Sequence, residues 1–212
     1  MKELKNLLPE TAKVLEKLSK SDFIKEFTFV GGSALAVYLA HRLSEDIDLF
    51  TWNNEINPVQ LQDELQKLEF TQMRTVNLSA KQADFVVDGV KVTFFANGWD
   101  ELKTGNILIG NIRIAELKTL AVMKVNTLFM RAKFRDYYDL YVLNINHFTL
   151  KQLYEMASIK MKNLSQTLFQ KAIVFTEDIQ DETILHLKPK YKLSIKKIST
   201  HFAKQLKQIN KP

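Results

Sequence analysis

The sequence predicts an α+β chain, with a mixed β-sheet and flanking helices in its N-terminal half and a helical bundle in its C-terminal half. Three observations predict it. β-prone apolar runs separated by Gly, Asn and Asp are confined to residues 27 to about 114. One separator is Asp88-Gly89, and Asp-Gly between apolar runs is the strongest short hairpin signal. Beyond residue 115 the apolar positions recur every three or four residues, as on helices. Strands followed by helices are an α+β order, and the expected domains are 1–114 and 115–212. No internal repeat or low-complexity linker interrupts either half.

In chain order, Leu4 to Leu18 has helical spacing at Leu8, Ala12, Leu15 and Leu18, with Pro9 tolerable near a first turn. Phe27 to Val30 is a short strand ending in Gly31-Gly32-Ser33, and residues 34 to 42, rich in Ala and Leu, form a helix. Asp46 to Phe50 alternates acid and apolar residues, as a half-buried strand does. Pro58 to Leu68 is a helix with Leu61, Leu65 and Leu68 on one stripe. Phe70 to Val76, Ala83 to Val87 and Val90 to Phe95 are strands, and Ile107 to Ile114 is a further strand or a hairpin around Gly110-Asn111. Helices are expected at Ala115 to Met130, Phe134 to Leu143, Leu150 to Met161, Leu164 to Val174 and Ile195 to Ile209, with Lys188-Pro189-Lys190 as connector before the last.

The composition, 46% hydrophobic and 25% charged, is that of a globular protein. No run approaches the ~20 apolar residues of a membrane span, and the N-terminus lacks the apolar stretch of a signal peptide, so a cytoplasmic protein is expected. The absence of cysteine excludes disulfides, thiolate catalysis and Cys-based zinc sites. His41, His147, His186 and His201 show no metal-ligand spacing, and Trp52 and Trp99 read as packing or rim residues. The net charge of +6 is a tail property. Lys188, Lys190, Lys192, Lys196, Lys197, Lys204, Lys207 and Lys211 fall in a stretch without an acid, which leaves residues 1–187 at 6 − 8 = −2. Such asymmetry suits either a polyanionic partner or a solvated helix face.

The chemistry concentrates between Phe29 and Phe50. A strand that turns directly into a helix needs the freedom of glycine, supplied by Gly31 and Gly32. The helix N-terminus then presents unpaired N–H groups and a positive dipole end to a phosphate, and Ser33 adds a hydroxyl. With a side-chain period of two, Asp46 and Asp48 share one face while Ile47 enters the core. Two adjacent carboxylates call for a cation, and Mg²⁺ is commonly bound by one or two carboxylates together with substrate phosphates. Arg42 either binds phosphate or pairs with Glu45 or Asp46.

Gly32-Ser33, a twelve-residue spacer and Asp46-Ile47-Asp48 resemble the signature of the polymerase-β-like nucleotidyltransferase superfamily. The fuller string, Gly31-Gly32-Ser33-Ala34-Leu35 to His41-Arg42-Leu43-Ser44-Glu45-Asp46-Ile47-Asp48-Leu49-Phe50, resembles the AbiEii/AbiGii toxin family of abortive-infection and toxin–antitoxin systems. The likeness spans roughly residues 25 to 145. It implies a nucleotidyltransferase-like sheet domain, a nucleoside triphosphate substrate, a Mg²⁺ pair held by Asp46 and Asp48, an RNA acceptor such as tRNA, growth arrest and an antitoxin partner.

Two later segments join this expectation. Lys124 falls inside the apolar stripe of Leu117, Leu120, Ala121 and Leu128, where a lysine must snorkel or meet an anion. Lys118 borders the same stripe and is the second choice. The resemblance favours Lys124 for the triphosphate, because Val122-Met123-Lys124-Val125 matches the family's Met-Lys segment. Asp136 and Asp139 lie one turn apart on the face of Leu140 and Leu143 and therefore point inward. They either pair with Arg131, Lys133 or Arg135, or belong to the site. Arg131, Arg135, Asp136 and Asp139 match an Arg…Lys/Arg-Asp-x-x-Asp-Leu family segment, which implies Asp136 as base or acceptor-orienting group. One departure stands out: where the family often has a third carboxylate on the strand after the hairpin, this chain has Thr93. That departure leaves open a nucleotide-binding regulator without turnover, and the basic tail leaves open an RNA-binding module.

Overall fold

In a computed structural model, which describes residues 4–179 and 184–209 (the side chains of 208 and 209 excepted), the chain divides into two compact units, Met1–Thr119 and Leu120–Pro212. Lys211 and the side chain of Ile209, both part of the expected basic helix, lie outside the described residues.

The first unit is built on a seven-stranded mixed sheet. Its strands are β1 (Thr28–Val30), β2 (Ile47–Thr51), β3 (Met73–Leu78), β4 (Gln82–Val87), β5 (Val90–Ala96), β6 (Asn106–Ile109) and β7 (Ile112–Ile114). Their spatial order is β3-β4-β5-β2-β1-β7-β6. β1 runs antiparallel to β2 and parallel to β7, and β2 runs parallel to β5. The Asp88-Gly89 turn closes the expected hairpin and pairs Val87 with Val90. Ile107 to Ile114 resolves into a hairpin of two strands. One face of the sheet is core: Ile47 and Leu49 of β2, Phe85 of β4 and Val92 and Phe94 of β5 are fully buried. Phe94 is met edge-on by Phe27 and Phe85, with ring centroids 5.0 and 6.1 Å away.

Three helices of this unit are α1 (Pro9–Leu18), α2 (Gly31–Leu39) and α3 (Pro58–Gln66). α1 starts at Pro9 rather than Leu4, because proline has no N–H to donate and suits the first helical position. The residues before it tie down a loop instead: Leu8 N–H donates to the Ser44 carbonyl at 2.9 Å, and Ser44 N–H to the Asn6 carbonyl at 3.1 Å. α2 begins at Gly31, three residues earlier than expected, and stops at Leu39, because Ala40 adopts the left-handed conformation that caps a helix. Asn57 caps α3 by accepting the Gln60 N–H at 3.1 Å. Short 3₁₀ turns at Asp22–Glu26, Asp100–Thr104 and Leu185–Leu187 have no counterpart among the expected elements.

Helix α4 spans Leu117–Met130, and the second unit continues with α5 (Phe134–Asn146), α6 (Leu150–Lys160), α7 (Gln166–Val174) and α8 (Ile195–Ile209). In α8, Ile195, Ile198 and Phe202 are buried, while Lys196, Lys197, Lys204 and Lys207 are exposed. Polar ties complete the bundle: Tyr137 Oη donates to the Ala172 carbonyl at 3.0 Å, and His201 Nε2 meets Asn144 Oδ1 at 2.8 Å. Among the described residues no helix is long and apolar enough to cross a membrane.

Candidate active site

The junction of β1 and α2 is where the sequence leaves least choice. Gly31 has φ +75°, a conformation costly to any residue with a side chain. A Cβ there would also lie 2.0 Å from Asp48 Oδ2. The Asp48 carboxylate therefore sits directly over the turn into α2, a position set by the Val30–Asp48 pairing of β1 with β2. The positive end of α2 is favourable for that negative charge. Gly32 and Ser33 follow in the first turn of α2.

Ser33 is buried, and its hydroxyl bonds the Asp46 carbonyl and, at 2.8 Å, Ser44 Oγ. Its visible work is to clamp the loop before β2 onto α2, which holds Asp46 in place. Arg42 is buried in the same loop, with Nη1 donating to the Leu43 carbonyl at 3.0 Å and to Ser44 Oγ at 3.1 Å. Thr11 Oγ1 adds a bond to the Glu45 carbonyl at 2.8 Å. Gly31, Gly32, Ser33, Arg42, Asp46 and Asp48 are thus brought together, with both aspartates half-buried at the start of β2.

Thr93 lies beside Asp48 in the β2–β5 register. On its other side the β4–β5 register places Asp84, a buried carboxylate that the sequence reading passed over. Thr93 Oγ1 donates to Asp84 Oδ1 at 2.7 Å, and Gln82 Nε2 donates to Asp84 Oδ2 at 2.7 Å. The signal was available. A two-residue turn at 88 and 89 pairs 87 with 90 and, counting back three on one strand and forward three on the other, 84 with 93.

The second unit gathers Lys124, Arg131, Asp136 and Asp139. Lys124 Nζ lies 2.9 Å from Asp136 Oδ1 and 2.9 Å from Asp139 Oδ2, and all three side chains are buried. Arg131 grips Asp136 in fork geometry, Nε to Oδ2 and Nη2 to Oδ1, both at 3.2 Å. The Lys133 N–H adds a bond to Asp136 Oδ2 at 3.1 Å, an acid at the third position of α5 serving its N-cap. Burial alone would raise the Asp136 pKa, but the charges of Lys124 and Arg131 outweigh it and hold the carboxyl below its ordinary value. Burial, and then Asp136, push the Tyr137 hydroxyl up to about 12. Lys118, the second choice, is exposed and pairs with Glu116 at 2.9 Å, and Arg135 is half-buried.

Among the described residues no group of three or more His, Cys, Asp or Glu side chains could hold a metal ion. The donor set at β2 is two carboxylates of hard oxygen character, which suits Mg²⁺ completed by substrate phosphates and water rather than an all-protein cage. Gly31 itself places no side chain against that carboxylate.

Residues 13–94, which contain this junction, match the family described as nucleotidyl transferase AbiEii toxin, type IV toxin–antitoxin system. An uncharacterized protein of Aquifex aeolicus (strain VF5) is 29% identical over 190 residues, covering 88% of this chain and 91% of that protein. Solved structures share the fold. JHP933 from Helicobacter pylori aligns with TM-score 0.59 at 17% identity, over 94% of this chain and 90% of its own. MenT4, a nucleotidyltransferase toxin of Mycobacterium tuberculosis H37Rv, aligns with TM-score 0.56 at 12% identity, over 85% and 74%. The matched segment holds Gly31, Gly32, Ser33, Arg42, Asp46, Asp48, Asp84 and Thr93.

Proposed function

We propose that this protein is a toxin that transfers a nucleotidyl group from a nucleoside triphosphate to an acceptor, with RNA, including tRNA, as the favoured acceptor class. The observation that carries this reading is the Asp48 carboxylate seated over Gly31 at the start of α2, with Asp46 two residues before it. The match of residues 13–94 to the AbiEii family supports it. Asp46 and Asp48 would hold Mg²⁺, which when bound supplies positive charge to the phosphates and lowers the pKa of an oxygen beside it. Gly31 leaves room for the backbone of α2 to approach a phosphate, and Ser33 and Arg42 keep the aspartate loop rigid. Lys124 is assigned to the negative charge of the nucleotide and Asp136 to orienting the acceptor, with Lys118, Arg131, Arg135 and Asp139 supporting them. The exposed lysines of α8 are assigned to phosphate contacts with the acceptor. Action in the cytoplasm and an antitoxin partner belong to the same proposal.

A second reading, a nucleotide-binding regulator without turnover, is favoured by Thr93 where the family often has an acid. Calorimetric titration of nucleoside triphosphates with Mg²⁺ tests the binding half of the proposal. Saturable binding to wild type that vanishes in Asp46→Ala plus Asp48→Ala is expected, and binding that survives the double change contradicts it.

A further inference from the structure

We propose that Thr93 and Asp84 act together as the proton acceptor for the incoming hydroxyl, with Thr93 touching the substrate and Asp84 acting through it. This rests on the nucleotidyl-transfer reading above. The neighbouring strands put Asp48, Thr93 and Asp84 side by side in one lateral row. Residues directly opposite one another on paired strands project from the same face of the sheet, so Thr93 stands between the aspartate over Gly31 and a second, buried carboxylate.

The hydrogen bond has a direction. Carboxylate Oδ1 of Asp84 accepts the Thr93 hydroxyl proton at 2.7 Å, which leaves the lone pairs of Thr93 Oγ1 free to accept another. The same Oδ1 has Lys91 Nζ at 3.8 Å, a long ion pair to a half-exposed lysine. The other oxygen of Asp84 takes the neutral amide of Gln82.

Asp136 is the contrasting case. It receives Lys124 Nζ and Arg131 Nη2 on Oδ1, and Arg131 Nε and the Lys133 N–H on Oδ2. These four donors occupy the roughly four lone-pair sites of a carboxylate. Burial would raise its pKa, but three of the four donors belong to the cations Lys124 and Arg131, which hold it below its ordinary value. Asp136 is therefore built to hold Lys124 and Arg131, and the proton must go elsewhere.

The step balances as follows. The acceptor O–H proton passes to Thr93 Oγ1 while the Thr93 hydroxyl proton passes to Asp84 Oδ1. The acceptor oxygen forms a bond to the α-phosphorus, and the bond from that phosphorus to the pyrophosphate oxygen breaks. Pyrophosphate leaves with the electron pair, and neutral Asp84 later returns its proton to solvent.

The test compares rates of label transfer from saturating triphosphate into total cellular RNA, with triphosphate affinity measured calorimetrically on the same preparations. Asp84→Asn and Thr93→Val are each expected to lower the rate about 100-fold or more, the scale of a lost general base, with triphosphate affinity unchanged. Combining them should cost little beyond either alone. Thr93→Ser, which keeps a hydroxyl, should recover what Thr93→Val loses. Thr93→Asp should rescue Asp84→Asn by placing a carboxylate where the relay oxygen stood. Transfer that is lost in Asp48→Asn but retained in Asp84→Asn overturns this proposal and leaves the nucleotidyl-transfer reading standing. Equal losses of rate and affinity, or no rescue by Thr93→Asp in a variant that still binds triphosphate, overturn it too. No transfer by the wild-type protein overturns both.

Discussion

Lys124 and Asp136 form a buried ion pair at 2.9 Å, and Asp139 completes it from one turn further along α5 at the same distance. Removing one member of such a cluster leaves uncompensated charge in a dry interior. Lys124→Met is expected to destabilise the protein by about 3–5 kcal/mol in urea unfolding. The triple change Lys124→Met, Asp136→Asn, Asp139→Asn should recover most of that loss, because the three buried charges then go together and Arg131, which loses Asp136, has a mostly exposed side chain. A Lys124→Met protein as stable as wild type would mean that the ammonium contributes nothing to this packing.

Acid should weaken the same cluster. The folded Asp136 carboxyl titrates below 3.8, its ordinary value, so between the two the unfolded chain binds more protons. Stability then rises with pH. The contribution of Asp136 is fully present above pH 3.8 and is lost as pH falls below it through the folded value. Unfolding curves collected from pH 5 downward, a range spanning the ordinary carboxyl values, should fall less steeply for Asp136→Asn than for wild type. Parallel curves would contradict this.

Gly31 and Gly89 offer a matched comparison. Both have positive φ, +75° and +83°, but an added Cβ at Gly89 meets nothing within 4 Å, whereas at Gly31 it meets Asp48. Gly89→Ala should report backbone strain alone, of order 1 kcal/mol in thermal unfolding. Gly31→Ala should cost more and also abolish triphosphate binding by displacing the Asp48 carboxylate. Normal triphosphate affinity in Gly31→Ala would show that Asp48 needs no glycine beneath it.

The basic face of α8 should be separable from the nucleotide site. Changing Lys196, Lys197, Lys204 and Lys207 to Gln is expected to weaken RNA binding and flatten its salt dependence, by up to about 3 in the log–log slope. Triphosphate affinity should not change. Equal RNA affinity of mutant and wild type at low salt would leave α8 as an amphipathic cap of the bundle, with Ile195, Ile198 and Phe202 as its only function.

Periodicity and turn chemistry made the fold readable. Asp88-Gly89 placed the β4–β5 hairpin, and the alternation around Ile47 placed β2 with Asp46 and Asp48 off the core. The inward aim of Asp136 and Asp139 followed from their one-turn spacing, and both are buried. What was not read depends on tertiary partners. Ser33 looks like a free hydroxyl at a helix N-terminus, but only the folded loop brings Ser44 and the Asp46 carbonyl to it. Asp84 was hidden because residues 83–87 read as an apolar strand, and its meaning lies in a neighbour nine residues away. The 3₁₀ turns have too few residues to show a period.

The most direct test is incubation of the protein with each labelled nucleoside triphosphate, Mg²⁺ and total cellular RNA, followed by separation of the products. The account predicts label covalently attached to RNA by wild type, none after chelation of the metal, and none with Asp48→Asn. Label attached equally well by wild type and Asp48→Asn would contradict it, as would triphosphate binding with no labelled product at all.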